Sequence, residues 1–171
     1  MIYFITKGDI DLSPYNDIES CTINFMIRYL TLLEEIGVDS ETTGFQPHVC
    51  KILLLQLGDF DNQFVIDCTT IDISKIPELK YLLETKIIIL HNAKFDIRFL
   101  FKENIRPHKN VFDTFLAERV LTTGLDFHKK SLKECAWRYL RVTLDKSTRG
   151  KIHKLGVCDP SVIRYSALDV K

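Results

Sequence analysis

The chain has 171 residues, 46% apolar and 27% charged, which suits one globular domain (1–171) with a real core and residues 1–20 as an N-terminal flank. Lys plus Arg and Asp plus Glu both number 23, so the net charge is zero; binding of nucleic acid by bulk positive charge is excluded, and any phosphate attraction must be local. The five cysteines are odd in number, scattered and lack C-x-x-C spacing, which points away from a disulfide framework or zinc site and toward a reducing compartment. With no targeting signal and no apolar run approaching the ~18 residues of a membrane span, a cytoplasmic protein without membrane contact is expected.

In chain order, residues 2–5 (IYFI) form a short strand candidate, followed by a polar, acidic loop with Pro14; this flank is expected outside the core sheet. From Thr22 the pattern turns helical, with Ile23, Met26, Ile27 and Leu30 on one face and Thr22 or Ser20 as cap. Residues 50–57 and 63–67 are strands joined by GDFDN, a hairpin turn, so the first three strands from the acidic motif onward read as antiparallel. Pro77 opens a helix that buries Leu79, Leu82 and Leu83. The run IIIL, 87–90, is too apolar for a half-exposed strand and calls for helices on both faces of the sheet. Three helices follow: one with Phe95, Phe99 and Leu100, one with Phe112, Phe115, Leu116 and Val120 that Gly124 stops, and one capped by Ser131 with Leu132, Cys135, Ala136, Tyr139 and Leu140. Strands first, then helices with interspersed strands, predict an α/β sandwich on a mixed sheet.

The chemistry centres on residues 36–47, IGVDSETTGFQP. Side chains two apart on a strand share a face, so Asp39 and Glu41 stand side by side with Ser40 behind them. Two adjacent carboxylates repel unless a proton or a cation compensates, and a hard divalent ion suits all-oxygen ligands. The plain alternative is a chance D-x-E before a solvated ETTG turn. Two further carboxylates shift the balance: Asp96 in HNAKFDIRFL beyond the IIIL strand, and Asp169 in RYSALDV, with Tyr165 four residues earlier on the same helical face. Read alone, Asp96 is a helix first-turn acid with Asn92 as cap.

DSETTG, N-x-x-x-D (Asn92 to Asp96) and Y-x-x-x-D (Tyr165 to Asp169) together resemble the three motifs of the DEDD, or DnaQ-like, 3'-5' exonucleases, tyrosine subclass. The histidine subclass would place a histidine five before Asp169, where this chain has Arg164. The resemblance spans roughly residues 22–171 and is nearest to the proofreading exonuclease domain of family A DNA polymerases. It implies a ribonuclease H-like three-layer α/β/α sandwich with a mixed five-stranded sheet, the second strand antiparallel to the rest. It also implies two ions, Mg²⁺ or Mn²⁺: Asp39 bridging both, Glu41 and Asp169 completing one, Asp96 holding the other largely through water, and Tyr165 orienting the attacking water. A phenol, with an ordinary pKa near 10, is a poor base at neutral pH, so orientation is its expected task. Lys171 lies two residues past Asp169, where the family's third-motif helix normally runs on, implying a fragment boundary or an unusually minimal domain.

Asp113 reads as an N-cap or a partner of the site rather than a ligand, and the five histidines show no metal spacing, His91 being read as a loop residue beside the second motif. Between Asp126 and Lys154, nine basic residues face three acids; Lys146 and Arg149 are the lead candidates for phosphate contact, against a merely solvated helix face. Thr42, Phe45, Asn92 and Phe95 complete the candidate strand contacts, the aromatics by base stacking unless they belong to the core. Three functions are weighed: removal of nucleoside 5'-monophosphates from single-stranded or frayed DNA 3' ends, proofreading for a DNA polymerase domain or subunit; ribonuclease D-like trimming of RNA; and a catalytically idle domain of a polymerase. Five intact site residues speak against the last, since clustered acids without a cation cost stability.

Overall fold

The computed structural model describes residues 1–107, 110–125, 129–145 and 150–171. Strand β1 (Ile2–Ile5) and β2 (Ile18–Ser20) lead into α1 (Ile23–Thr31), then β3 (Glu35–Thr42), β4 (Ile52–Gly58) and β5 (Gln63–Asp67). A 3₁₀ turn (Ile73–Lys75) precedes α2 (Pro77–Thr85), β6 (Ile87–Leu90), α3 (Lys94–Lys102), β7 (Val111–Asp113) and α4 (Thr114–Leu121). Next come α5 (Leu132–Cys135), running into a π-helical turn (Ala136–Leu140), α6 (Ile152–Leu155) and α7 (Pro160–Leu168). Several starts are written locally: the Thr22 hydroxyl accepts the Phe25 N–H at 3.1 Å, Pro77 opens α2, and Ser131 accepts the Glu134 N–H. No helix among the described residues is long and apolar enough to cross a membrane.

The strands form one sheet in the order β2-β1-β5-β4-β3-β6-β7, in which β4 runs antiparallel to both neighbours and every other pairing is parallel. Alternation sorts the side chains of β3. Ile36 and Val38 join Met26, Leu30, Leu57, Phe64, Leu79, Ile88 and Phe99 in the larger core under α1, α2 and α3. The opposite face carries Gly37, Asp39 and Glu41 and is covered by α7, whose Val162, Ile163 and Ala167 pack with Phe4, Leu54 and Val65. This is the expected α/β/α sandwich.

Two expectations are corrected. Residues 2–5 do not lie outside the sheet: β1 pairs in parallel with β5, Ile2 with Gln63 through Ile5 with Ile66, and β2 extends the sheet again. The sheet therefore has seven strands rather than five. All five residues of β5 are buried, so its outer edge needs a partner, and IYFI supplies one. Thr6, just past β1, donates to the Asp67 carboxylate at 2.7 Å and locks the end of the pair. Second, Phe112 is in a strand, not a helix, and Phe112, Leu116 and Val120 are exposed rather than a buried stripe. The reason is Asp113, whose carboxylate accepts the Phe115 and Leu116 N–H groups and starts α4 only at Thr114.

The segment after α4 is held by a buried acid. Glu118 is almost fully enclosed, pairs with the Arg138 guanidinium and accepts the Tyr139 hydroxyl at 2.7 Å, while Arg138 also donates to the Lys129 carbonyl at 3.0 Å. Breaking a buried pair by removing one partner costs about 3 kcal/mol or more. Glu118→Ala should accordingly raise amide exchange over 131–141 ahead of the sheet, as read by hydrogen-exchange mass spectrometry; unchanged protection there would show that other contacts hold the segment.

Candidate active site

Strand β3 and the end of α7 meet over one glycine. A Cβ on Gly37 would lie 2.8 Å from the Val170 carbonyl oxygen, so only glycine lets the helix end settle this close to the strand. Asp169, the C-cap of α7, is thereby brought over β3. Carboxylate oxygens of Asp39, Glu41 and Asp169 all lie within 4.8 Å of one another. Tyr165 is buried one turn before Asp169 on the same helix. Three carboxylates at this spacing carry a concentrated negative charge, and an all-oxygen donor set fits a hard divalent cation such as Mg²⁺ or Mn²⁺. Gly37→Ala should displace Val170 and with it Asp169. Turnover is expected to fall about a hundredfold, as misplacement by about 1 Å does elsewhere, with the sheet still folded by circular dichroism. Parental turnover would show that the helix end does not depend on this glycine.

The fourth acid is placed apart. Asp96 is in the first turn of α3, buried on the other side of β3, and accepts a 2.5 Å hydrogen bond from Ser40, the residue between Asp39 and Glu41. It is not one of the three acids whose oxygens converge. Burial pushes its carboxyl up to about 6, with the Asp113 charge adding and the Ser40 bond opposing. Asp113 in turn accepts four backbone N–H groups: Asn92 and Ala93 at 3.0 Å each, Phe115 at 2.9 Å and Leu116 at 3.3 Å. It therefore caps α4 and ties down the start of α3, the structural role its position suggested. Asn92 is not the side-chain cap of α3; it sits at φ 67, a left-handed conformation that asparagine tolerates.

The sign of the pH effect follows from the upward shift. A carboxyl whose pKa is higher in the folded protein than in the unfolded chain stabilises the fold when protonated, and that contribution disappears as pH rises through the folded value. Without divalent ions, the chain should lose up to about 3 kcal/mol between pH 4 and about 6.5 from Asp96, taking its rise to about 6 as the window. Asp96→Asn should remove that part of the slope in denaturant melts across the range; an identical slope in both proteins would refute the assignment.

Of the candidate strand contacts, Phe45 is 84% exposed on the turn after β3, so it is not a core residue, and meets Phe95 edge-on at 6.2 Å. Phe95 is half-buried and packs on Phe99 at 5.2 Å, belonging partly to the core. The Thr42 hydroxyl donates to the Gly44 carbonyl at 2.7 Å and shapes the same turn. Lys146 and Arg149 lie outside the described residues. A cleft of about 290 Å³ opens beside Asp169, bordered by Gly37, Leu90, His91, Thr114 and Leu132. His91 Nδ1 lies 3.0 Å from the Thr114 hydroxyl, which donates to the Leu90 carbonyl. Three site positions escaped the sequence reading: Gly37, Ser40 as partner of Asp96, and Gln56, directly opposite Asp39 on β4. A lone glutamine inside the apolar run ILLLQL was the available signal for the last.

A model of the 3'-5' exonuclease family matches residues 20–171. DNA polymerase I of Aquifex aeolicus (strain VF5) is 32% identical over 133 residues, 78% of this chain, and the chain spans about a fifth (21%) of that relative's length. Among solved structures, Brucella melitensis NrnC bound to pGG has a TM-score of 0.72 at 23% identity over 99% of this chain and 74% of that one. The catalytic core of RRP6 from Trypanosoma brucei gives 0.73 at 20% identity, over 99% and 43% of the two chains. Escherichia coli RNase D, an exoribonuclease involved in structured RNA processing, gives 0.72 at 20% identity over 85% and 38%. At these identities the structures establish a shared fold, and the sequence match establishes the kinship: the chain belongs to the DnaQ-like 3'-5' exonuclease family.

Proposed function

We propose that this exonuclease domain is of the tyrosine subclass, uses two divalent ions, Mg²⁺ or Mn²⁺, and releases nucleoside 5'-monophosphates from single-stranded or frayed DNA 3' ends, proofreading for a DNA polymerase on the same chain or a separate one. The convergence of Asp39, Glu41 and Asp169 within 4.8 Å, with Tyr165 one turn away, carries this reading. Asp39, Glu41 and Asp169 would hold the ions directly, and Asp96, set behind β3, would act through water. When bound, the ions supply an acidified water and neutralise charge on the scissile phosphate and the departing 3'-oxygen. The acids alone repel a phosphodiester, so strand binding and cation binding are coupled through them. The Tyr165 hydroxyl orients the water for in-line attack, and Phe45 offers an exposed ring for the terminal base.

Arg164 supports the tyrosine assignment: where the histidine subclass would have its histidine, this side chain makes a two-pronged pair with Asp17 at 2.6 and 2.7 Å. Kinship with DNA polymerase I supports DNA as substrate. RNA trimming is the second reading, favoured by the likeness in fold to Escherichia coli RNase D, an exoribonuclease, over 85% of the chain.

The deciding experiment is a gel with 3'- and 5'-labelled DNA and RNA oligonucleotides in Mg²⁺, Mn²⁺ or chelator. DNA shortened from the 3' end only with metal is the expected result; faster loss of RNA would establish the second reading, and no cleavage would mean an idle domain. In the same assay Asp39→Ala should abolish activity, whereas Tyr165→Phe should lose about ten- to a thousandfold, because only alignment suffers. A loss in Tyr165→Phe as complete as in Asp39→Ala would give the phenol's proton a chemical role.

A further inference from the structure

Next to the carboxylates lies a polar pair that the reaction as proposed does not use. Gln56 on β4 is fully buried, and neither its amide nitrogen nor its amide oxygen has a hydrogen-bond partner; the hydroxyl of Ser166 on α7 is equally buried and equally unpaired. No other described side chain shares this condition. An amide buried without partners destabilises a fold relative to an apolar side chain of the same shape, so folding does not account for it.

Their positions do. Gln56 is the register partner of Asp39, and residues directly opposite on antiparallel strands project from the same face with Cβ atoms about 5 Å apart. The same face is covered by α7, where Ile163 and Ala167 pack on Leu54 and Val65, the latter being the register partner of Gln56 on β5. Ser166 falls between Ile163 and Val170 on the buried side of that helix and one turn before Asp169. A carboxylate can only accept hydrogen bonds, an amide does both, and a hydroxyl can donate. The three groups thus have the order and polarity of a chain from helix to strand.

We infer that Gln56 is a positioning residue for Asp39: when a cation occupies the carboxylates, Gln56 Nε2 donates to Asp39, Ser166 Oγ donates to Gln56 Oε1, and the chain fixes α7 to β3. This rests on reading the carboxylates as a cation site. Hydrogen bonds at catalytic groups are often open in the free protein and close on loading, and groups that orient a ligating carboxylate typically change metal affinity ten- to a hundredfold.

The test uses the whole chain and Mn²⁺ alone, titrated by calorimetry and by electron paramagnetic resonance, with Gln56→Leu, Ser166→Ala, the double variant and Asp39→Asn. Gln56→Leu should melt at or above the parent without divalent ions, yet bind Mn²⁺ about ten- to a hundredfold more weakly. With a single-stranded oligonucleotide its kcat should fall while KM stays. Ser166→Ala should lose less in the same direction, and the double variant no more than Gln56→Leu, because the two act as one chain. Parental Mn²⁺ affinity in Gln56→Leu, or in Ser166→Ala should Gln56→Leu fail to fold, would overturn the inference while Asp39→Asn still loses the ion. Undiminished Mn²⁺ binding in Asp39→Asn would instead overturn the cation-site reading beneath it.

Discussion

Like charges do not gather unless something forces them together, and here the force is packing. The inward side of α7 buries Val162, Ile163 and Ala167 against β1, β4 and β5, and the helix runs on until Val170 rests on Gly37. Asp169 has no choice of place once that seam is closed. The apolar contact, worth roughly 2 kcal/mol for each large side chain removed from water, outweighs the repulsion it imposes among the acids. Cations held by these acids, as proposed above, would relieve that repulsion.

A second layer of constraint works from behind the strand. The alternation that turns Asp39 and Glu41 toward α7 turns Ser40 toward α3, where it meets Asp96. Asp113 then holds the backbone at Asn92 and Ala93 as well as at Phe115 and Leu116, so the starts of α3 and α4 are both tied to one carboxylate. The acids divide their labour by environment. Those facing α7 converge, Asp96 is buried and hydrogen-bonded, and Asp113 is consumed by helix N-termini.

The site was more legible in the sequence than its surroundings. Strand and helix periodicities put Asp39 with Glu41 and Tyr165 with Asp169 on shared faces without knowledge of tertiary contacts, whereas the approach of Asp169 to the first pair was implied only by the family resemblance. Phe112, Leu116 and Val120 were misread through the same periodicity: they are spaced like a helix stripe, but one carboxylate, Asp113, starts the helix after Phe112 and leaves the stripe in solvent. The placement of β1 depended on which strand would lie at the edge, a long-range fact with no local signature. Gln56 and Ser166 could not be matched without the β3–β4 register, and Glu118 gave no sign of burial until Arg138 was brought to it.

The N-terminal strands also govern where this domain can be cut. The family match begins at residue 20, yet β1 and the first two residues of β2 lie before it, β1 covers the edge of β5, and Asp17 anchors Arg164 on the helix that bears the third motif. A chain trimmed to the kinship boundary would present the bare edge of a strand whose five residues are all buried in the intact fold, ready to recruit a strand from another molecule. Its losses would surface first as self-association and a loosened α7, and could be mistaken for a defect of the catalytic acids themselves.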